Sequence, residues 1–414
     1  MSNFSVAVIG GGPAGMMAAA IAAQNGKKVL LLEKNDRLGR KILITGKGRC
    51  NLTQAEFDLR TLVQAYRTGG KFLFSALNAF GPQAVVDFFE THGLEVKVER
   101  GGRVFPITDD SHDVLKVLEK YLADQGVTVW TKAVVEKIFV SDNLVKKIVL
   151  VDGKIVVAEQ VVIATGGLSY ALTGATGDGF KWAREFGHEV KKTIPALVPL
   201  KIKESWVRGL QGLSLKNVEL TAWQKKKKIV SRFGEMLFTH FGISGPIVLD
   251  VSKEVILAGE KGEVELSLNL KPALTAEQLD QRIQRDFKKY QNKFFKNALD
   301  ELLPQKFIPV VIELTGIDQL KPVNLITKTE RQKLLHCLSD LRFTVVGNMG
   351  YDLAIVTSGG VDTKEIDPRT MRSKKIDNLY FAGEVIDVDG PTGGYNLQAA
   401  WATGYLAGES ISKL

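Results

Sequence analysis

The sequence predicts an α/β protein in which a parallel-sheet domain is assembled from both ends of the chain, 1–190 with 344–414, around a central insertion, 191–343. Three observations predict it. A short apolar run at residues 4–9 stops at a glycine-rich turn and continues as a helix of small residues. A second pattern of strand, glycine, carboxylate and helix occupies residues 378–404. Between the two, period-two alternation is followed by helical capping signals, so the insertion does not continue the strand–helix rhythm of a parallel sheet.

At 414 residues the chain has room for two or three domains of ~150 residues each. Hydrophobic residues make up 45% and charged residues 24%, which excludes a disordered or fibrous chain. Cys50 and Cys337 are too few and too far apart for a disulfide framework or a CxxC redox centre, and a reducing, cytoplasmic setting is expected. Residues 4–23 are apolar, but no Lys or Arg precedes them and Gly10, Gly11 and Gly12 interrupt them, unlike a signal sequence or a membrane span. No membrane association is expected.

The first strand, 4–9, is continuously apolar, as a strand buried on both faces must be. It runs into Gly10-Gly11-Gly12-Pro13-Ala14-Gly15, which fits GxGxxG. Gly10 permits the tight turn, Gly12 lets the backbone approach a pyrophosphate, and Gly15 lets helix and strand pack closely. The helix that follows, 16–24, offers free N–H groups and the positive end of its dipole to phosphate. A second apolar strand, 28–32, ends at Glu33, whose carboxylate suits ribose hydroxyls and repels a 2′-phosphate. An adenine dinucleotide is the expected ligand.

The distant segments decide which one. Val161-Val162-Ile163-Ala164-Thr165-Gly166-Gly167 reads as a strand entering a small-residue turn. Asn378-Leu379-Tyr380-Phe381-Ala382-Gly383-Glu384 reads as another strand, and Gly393-Gly394-Tyr395-Asn396-Leu397-Gln398 opens a helix. A C-terminal strand and helix that return to the first domain suit the far end of FAD, because a helix N-terminus stabilises negative charge at the N1–C2=O edge of a reduced flavin. The fold expected is therefore a Rossmann-like FAD-binding domain of the two-dinucleotide-binding type, with FAD bound tightly but not covalently.

Further motifs are Gly39-Arg40-Lys41; Gly46-Lys47-Gly48-Arg49-Cys50-Asn51-Leu52-Thr53; Gly102-Arg103-Val104-Phe105-Pro106; Gly174-Ala175-Thr176-Gly177-Asp178-Gly179; Phe238-Thr239-His240-Phe241-Gly242-Ile243-Ser244-Gly245-Pro246; and Thr357-Ser358-Gly359-Gly360-Val361. With the segments above, they resemble the HI0933-like (YhiN) family of bacterial FAD-dependent oxidoreductases, which includes bile-acid reductases, over residues 5–408. The resemblance implies FAD contacts from Ala14, Glu33, Lys34, Arg40, Lys41 and the loop 46–51, comprising Gly46, Arg49, Cys50 and Asn51. It implies adenine contacts through the backbone of Val134 or Val135, and flavin contacts from Gly383, Glu384, Asn396 and Leu397. It also implies NAD(P)H-driven reduction of an activated C=C bond, with NAD(P)H visiting the site transiently. One departure is Lys47, where the family often has a third glycine; a Lys there either adds a cationic contact or points into solvent.

In the insertion, Val218, Leu220 and Ala222 alternate with polar residues, as do Val264, Leu266, Leu268 and Leu270, which predicts a β-barrel-like part over 191–271. Residues 225–228, four lysines, suit a hairpin end. A helical part is expected over 272–343, with capping boxes at Thr275/Gln278 and Thr329/Gln332. The net charge is +9, and nearly all of it comes from the four lysines and from residues 281–300. Such a patch suits an anionic partner or a solvated face. No aromatic ladder or nucleic-acid motif accompanies it, so a small-molecule substrate is expected ahead of nucleic acid.

No hydrolase triad order and no metal-ligand spacing appears, so flavin carries the hard chemistry. Proton-donor candidates are His240 in a glycine-punctuated loop, and Tyr170 and Tyr395 beside the expected flavin loops. Arg49 has either pyrophosphate or substrate charge to neutralise, and Cys50 is either a redox thiol or a small packing residue. The runners-up are a flavin-dependent protein associated with nucleic acid through the basic insertion, and a non-catalytic flavin redox sensor.

Overall fold

In the computed structural model, which describes residues 2–413, strand Ser2–Ile9 is the centre of a seven-stranded sheet. Val29–Leu32 and then Thr128–Trp130 pair parallel on one side of it, and Ile155–Ile163 pairs parallel on the other. The far edge of Ile155–Ile163 is shared. Its C-terminal end pairs parallel with Leu379–Phe381, and its N-terminal end pairs antiparallel with the hairpin Val135–Ser141/Leu144–Leu150. Val6, Ala7, Val8, Leu30, Leu31, Val161, Val162 and Ile163 are almost fully enclosed, which explains why these strands read as unbroken apolar runs.

Helix Pro13–Gln24 is apolar all round because it is buried all round, between the sheet and the last helix, Tyr395–Ser412. The two helices meet through small residues. A Cβ on Gly404 would lie 2.3 Å from the Ala14 carbonyl oxygen, and one on Gly408 would lie 2.7 Å from that of Ala18. Residues 70–91 are long and apolar enough to cross a membrane, but they form two ten-residue helices, Gly70–Ala79 and Pro82–Thr91, broken at Phe80 and Gly81. Their apolar faces, with Leu73, Ala76, Val85 and Phe89, are buried.

The chain divides into two compact units, residues 1–196 with 351–414 and residues 197–350. Residues 191–196, assigned to the insertion by sequence, belong to the first unit because strand Ile194–Ala196 pairs with Val356–Ser358. Residues 344–350, assigned to the cofactor domain, belong to the second because strand Leu341–Asn348 closes its barrel.

That second unit is a closed antiparallel barrel of six strands, in the order Leu200–Ile202, Gly242–Ser244, Lys227–Phe238, Ser214–Gln224, Val264–Asn269 and Leu341–Asn348. Closure removes the free edges a six-stranded sheet would expose. Val218, Leu220, Ala222, Leu266 and Leu268 fill its core. Helix Pro246–Gly259 lies within the part expected to be mainly β; Gly245-Pro246 starts it, with proline in the first turn. The helical excursion comprises Ala276–Lys289, Ile308–Thr315 and Lys328–Ser339. Thr275 and Gln278 form a reciprocal capping box. The second box is Thr327/Glu330 rather than Thr329/Gln332. Lys321 grips both oxygens of Glu330, at 2.7 and 2.8 Å, and holds that carboxylate where it caps the Thr327 N–H.

Candidate functional site: a dinucleotide cradle

The cradle is built from residues of the first unit. Its three fingerprint glycines differ in what they do. Gly10 has φ +110°, and a Cβ there would lie 2.5 Å from the Ala164 carbonyl oxygen. A Cβ on Gly15 would lie 1.8 Å from the Gly10 oxygen. Both are needed for the strand–turn–helix to close. Gly12, the N-cap of helix Pro13–Gln24, has φ −82° and ψ −176°, ordinary extended backbone, and a Cβ there meets nothing within 4 Å. Folding alone does not call for glycine at this position. A ligand approaching the backbone does.

The helix presents that ligand with donors. No side chain caps it, Pro13 has no N–H to satisfy, and the next N–H groups have no intrahelical acceptor. Beside it stands Glu33, buried to 7% exposure. One carboxylate oxygen accepts the Gly11 N–H at 2.7 Å; the other accepts the Asn35 N–H and side-chain amide at 2.8 and 2.7 Å. These bonds orient the carboxylate and leave one lone-pair site, on the oxygen that accepts from Gly11, for a ribose hydroxyl. Arg40 donates to the Asn35 side-chain oxygen at 2.9 Å, and Lys34 pairs with Asp178 at 2.7 Å. Val134 and Val135 follow directly after Ala133, whose N–H is bonded to the Glu33 carbonyl, which brings that backbone beside the acidic residue.

Opposite the fingerprint, Ala164, Thr165 and Gly166 leave the end of strand Ile155–Ile163. The Thr165 hydroxyl is enclosed and has no hydrogen-bond partner among the described residues. A buried hydroxyl left unpaired costs about 1–3 kcal/mol, so this one suits a bound acceptor. Gly383 donates its N–H to Thr403 at 2.9 Å. Gly394, with φ +100°, is the N-cap of helix Tyr395–Ser412, and no side chain caps that end either. Asn396 turns back to accept from the Gly390 N–H at 2.9 Å and to donate to the Gly390 and Pro391 carbonyls. Asn51, oriented by its hydrogen bonds, accepts from the Gly394 N–H at 3.1 Å and donates to the Thr53 and Val104 carbonyls. The loop 46–51 thereby meets the second helix N-terminus. Two uncapped helix ends, an oriented carboxylate, an orphaned hydroxyl and a glycine facing open space fit an FAD molecule.

A model of the HI0933-like protein Rossmann domain matches residues 4–410. The chain belongs to the HI0933-like family. Two relatives show the range of its members. A 3-dehydro-bile acid delta(4,6)-reductase of Clostridium scindens is 33% identical over 411 residues, covering 99% of each chain. A ribosomal RNA dihydrouridine synthase of Escherichia coli is 33% identical over 414 residues, covering 99% of this chain and 98% of the other. Among solved structures, a 3-ketosteroid delta1-dehydrogenase of Sterolibacterium denitrificans superposes with a TM-score of 0.55 at 14% identity, covering 100% of both chains, and so shares the fold. The HI0933-like chain thus has the Rossmann-like fold of the FAD-binding flavoproteins.

The other residues that the sequence singled out in this family member have these surroundings. Arg49 is turned away onto Glu99 and Asp109 and lies over the Phe105 ring at 4.0 Å, so protein carboxylates take up its charge. Cys50 is fully buried, and burial pushes its thiol up to about 12, so it is a packing residue and not a thiolate near neutral pH. Lys47 is exposed and holds a left-handed φ of +62° in the place of the family's glycine. Tyr170 is also left-handed, φ +54°, and its N–H donates to the Tyr351 carbonyl. Tyr395 packs edge-on against Tyr66 at 5.8 Å. His240, in the second unit, is exposed in the turn between Lys227–Phe238 and Gly242–Ser244.

Two features escaped sequence reasoning. Tyr66, whose hydroxyl donates to the Tyr395 carbonyl at 2.8 Å, fixes the first peptide of the second helix; burial raises its pKa strongly. Glu384 and Lys41 form a 2.6 Å ion pair that is completed by Ser169 and Thr357. The Thr357-Ser358-Gly359-Gly360 motif was the available signal for the second, but it carried no assigned role.

Proposed function

We propose that this protein is an FAD-dependent reductase that adds hydrogen across a C=C bond conjugated to a carbonyl, with NADH or NADPH as the electron donor. The observation that carries the cofactor assignment is Gly12, a glycine at an uncapped helix end whose Cβ position faces open space, where a ligand has room to approach the backbone. The reaction class is supported by the names of the relatives, which share one chemistry. A 3-oxo steroid with a Δ4 bond and a uracil ring both place a C=C next to a carbonyl, where hydride adds to the β-carbon and a proton to the α-carbon.

When bound, FAD supplies hydride transfer between the nicotinamide and the substrate. The chain's own residues do the rest. The N–H groups of Ala14 and Gly15 bind the pyrophosphate, and Glu33 the adenosine ribose. Val134 or Val135 borders the adenine, while Gly10, Gly46, Asn51 and Thr165 to Gly166 shape the cradle. Arg40 sets positive charge along it, while Lys34 and Lys41 border it in ion pairs with Asp178 and Glu384. The N–H groups of Asn396 and Leu397, at the end of the second helix, stabilise anionic flavin. Tyr170, Tyr395 and His240 remain the proton-donor candidates.

Two substrate classes fit this chemistry. A small enone, steroid-like or related, is the first. A uracil ring in RNA is the second, favoured by a specific observation: residues 197–350 carry 24 Lys and Arg against 17 Asp and Glu, so +7 of the net +9 resides in the second unit. The test is an anaerobic titration of the purified yellow protein. NADH or NADPH should bleach the flavin band, and either a 3-oxo-Δ4 steroid or a uridine-containing RNA should restore it with a gain of two hydrogens. Failure of both nucleotides to speed bleaching above the buffer rate refutes the donor assignment. Failure of every conjugated acceptor refutes the reaction class.

A further inference from the structure

Strands Ser214–Gln224 and Lys227–Phe238 are joined by a two-residue turn, Lys225 and Lys226, with Gln224 paired to Lys227 and Trp223 to Lys228. Both turn residues have positive φ, +48° and +65°. A hairpin of this kind takes Asn-Gly almost by default, because its two central residues must be left-handed, where a Cβ is penalised. Here both positions carry long cationic side chains, two more lysines follow, and all four are exposed. A backbone that holds unfavourable conformations to present charge is an outlier that points to function.

The neck of the hairpin is stiff. Gln224 donates to the Ala258 carbonyl at 2.7 Å and to that of Gly262 at 3.0 Å, tying the turn to the end of helix Pro246–Gly259. Below the turn, Arg342 lies over the Trp223 ring at 5.2 Å. Trp223, Lys225, Lys226, Arg342, Glu263 and Glu265 line a cleft of 340 Å³. Arg342 is neutralised by Glu265 and Asp340, each at 2.7 Å, so among these groups the uncommitted charge is four lysines against Glu263.

We propose that this lysine hairpin is a docking site for the phosphate backbone of RNA, separate from the dinucleotide cradle. The inference rests on the uracil reading above. RNA is preferred to a lipid surface because the tip holds only cations, without the large apolar side chains that a membrane-inserting hairpin carries. It is preferred to a sequence-reading element because lysines at a tip contact phosphates as point charges and read no base edges. The hairpin thus supplies affinity and orientation, and other surfaces supply selectivity.

The decisive variant replaces Lys225→Asn together with Lys226→Gly in the full-length flavoprotein. It removes two charges and gives the turn its preferred residues. If the lysines are there for RNA, stability and binding move in opposite directions. The melting temperature rises by about 2–4 °C. Affinity for a labelled, uridine-looped RNA stem-loop, measured by fluorescence anisotropy, falls, and equally so for an unrelated stem-loop. With two fewer phosphates neutralised, the log–log salt slope flattens by about 1.4, so between 50 and 200 mM salt the variant loses about sevenfold less affinity than the parent. A second pair, Lys227→Gln with Lys228→Gln, leaves the turn untouched and should flatten the slope likewise. It decides the matter if the first variant folds poorly. Unchanged affinity and slope in the variants overturn the proposal. So does a parent protein that binds no RNA at 50 mM salt, or one that prefers anionic lipid vesicles to RNA. Binding is read without turnover, so a failed flavin titration bears on the reaction class and a failed salt titration on the hairpin.

Discussion

Substituting Gly12→Ala separates the folding role of the fingerprint from its ligand role. The backbone at Gly12 already suits alanine, and the added methyl meets no atom within 4 Å. Restricting the unfolded chain stabilises by about 0.4–1 kcal/mol. Gly12 is also the helix N-cap, where alanine is worse than glycine by about the same amount. The two offset each other, so apoprotein stability should change by less than about 0.5 kcal/mol. The bound cofactor fares differently. A methyl facing the phosphates pushes them off the helix end, and each charged hydrogen bond broken costs about 1.5–3 kcal/mol, or ten- to a hundredfold in affinity.

The assay is circular dichroism melting of apoprotein alongside FAD titration by flavin fluorescence quenching. The companion substitution Gly15→Ala, whose methyl would lie 1.8 Å from a backbone oxygen, should lower the melting temperature and abolish binding together. A Gly12→Ala protein that binds FAD as the parent does refutes the reasoning. So does one that melts as low as Gly15→Ala, since Gly12 would then have a folding role the geometry does not show.

Two other outcomes follow from packing and protonation. Gly404→Ala drives a methyl to 2.3 Å from the Ala14 carbonyl and should cost about 1–3 kcal/mol and most of the bound flavin, whereas Gly408→Ala, which presses on Ala18 beyond the cradle, should lower the melting temperature while sparing the 450 nm absorbance per protein. His188 is buried, and desolvation lowers its pKa from 6.5; the Ser373 hydroxyl, which already accepts two N–H groups, must send its proton to the His188 Nε2. The folded state therefore binds the proton less tightly than the unfolded chain. This stabilisation is complete above pH 6.5 and is lost as pH falls below it, so melting temperature should decline toward pH 5 in the parent and decline less in His188→Gln.

The parts of the fold written in local pattern were legible: unbroken apolar strands around the first sheet, strict alternation at Val218, Leu220 and Ala222, and a capping box at Thr275. What depended on distant partners was not. Thr327/Glu330 and Thr329/Gln332 satisfy the same capping rule, and the choice lies with Lys321, outside the helix. Arg49 lies among glycines that suggested a cofactor cation, but its partners Glu99 and Asp109 come 50 and 60 residues later. Helix Pro246–Gly259 has an apolar stretch that a buried strand would share, and only Gly245-Pro246 marks it as a helix.

Non-local pairing also fixes Glu384, which the sequence reading expected at the flavin end. Glu384 follows a glycine at the end of a strand, a position from which a carboxylate could give a proton to substrate. In the fold one of its oxygens accepts the Thr357 N–H at 2.7 Å and the Ser169 hydroxyl at 3.0 Å, and the other accepts the Lys41 ammonium at 2.6 Å. A carboxylate held by three donors from three separate segments has its position fixed by all three. Its work is to join the loop after strand Ile155–Ile163, the segment Val356–Ser358 and the turn Gly383–Val385 into one frame. On the proposed reaction, the proton for the α-carbon is then expected from a hydroxyl, an imidazole or water. For the reaction proposed above, replacing Tyr170, Tyr395 or His240, the proton-donor candidates read from the sequence, should slow reoxidation by substrate without releasing the cofactor.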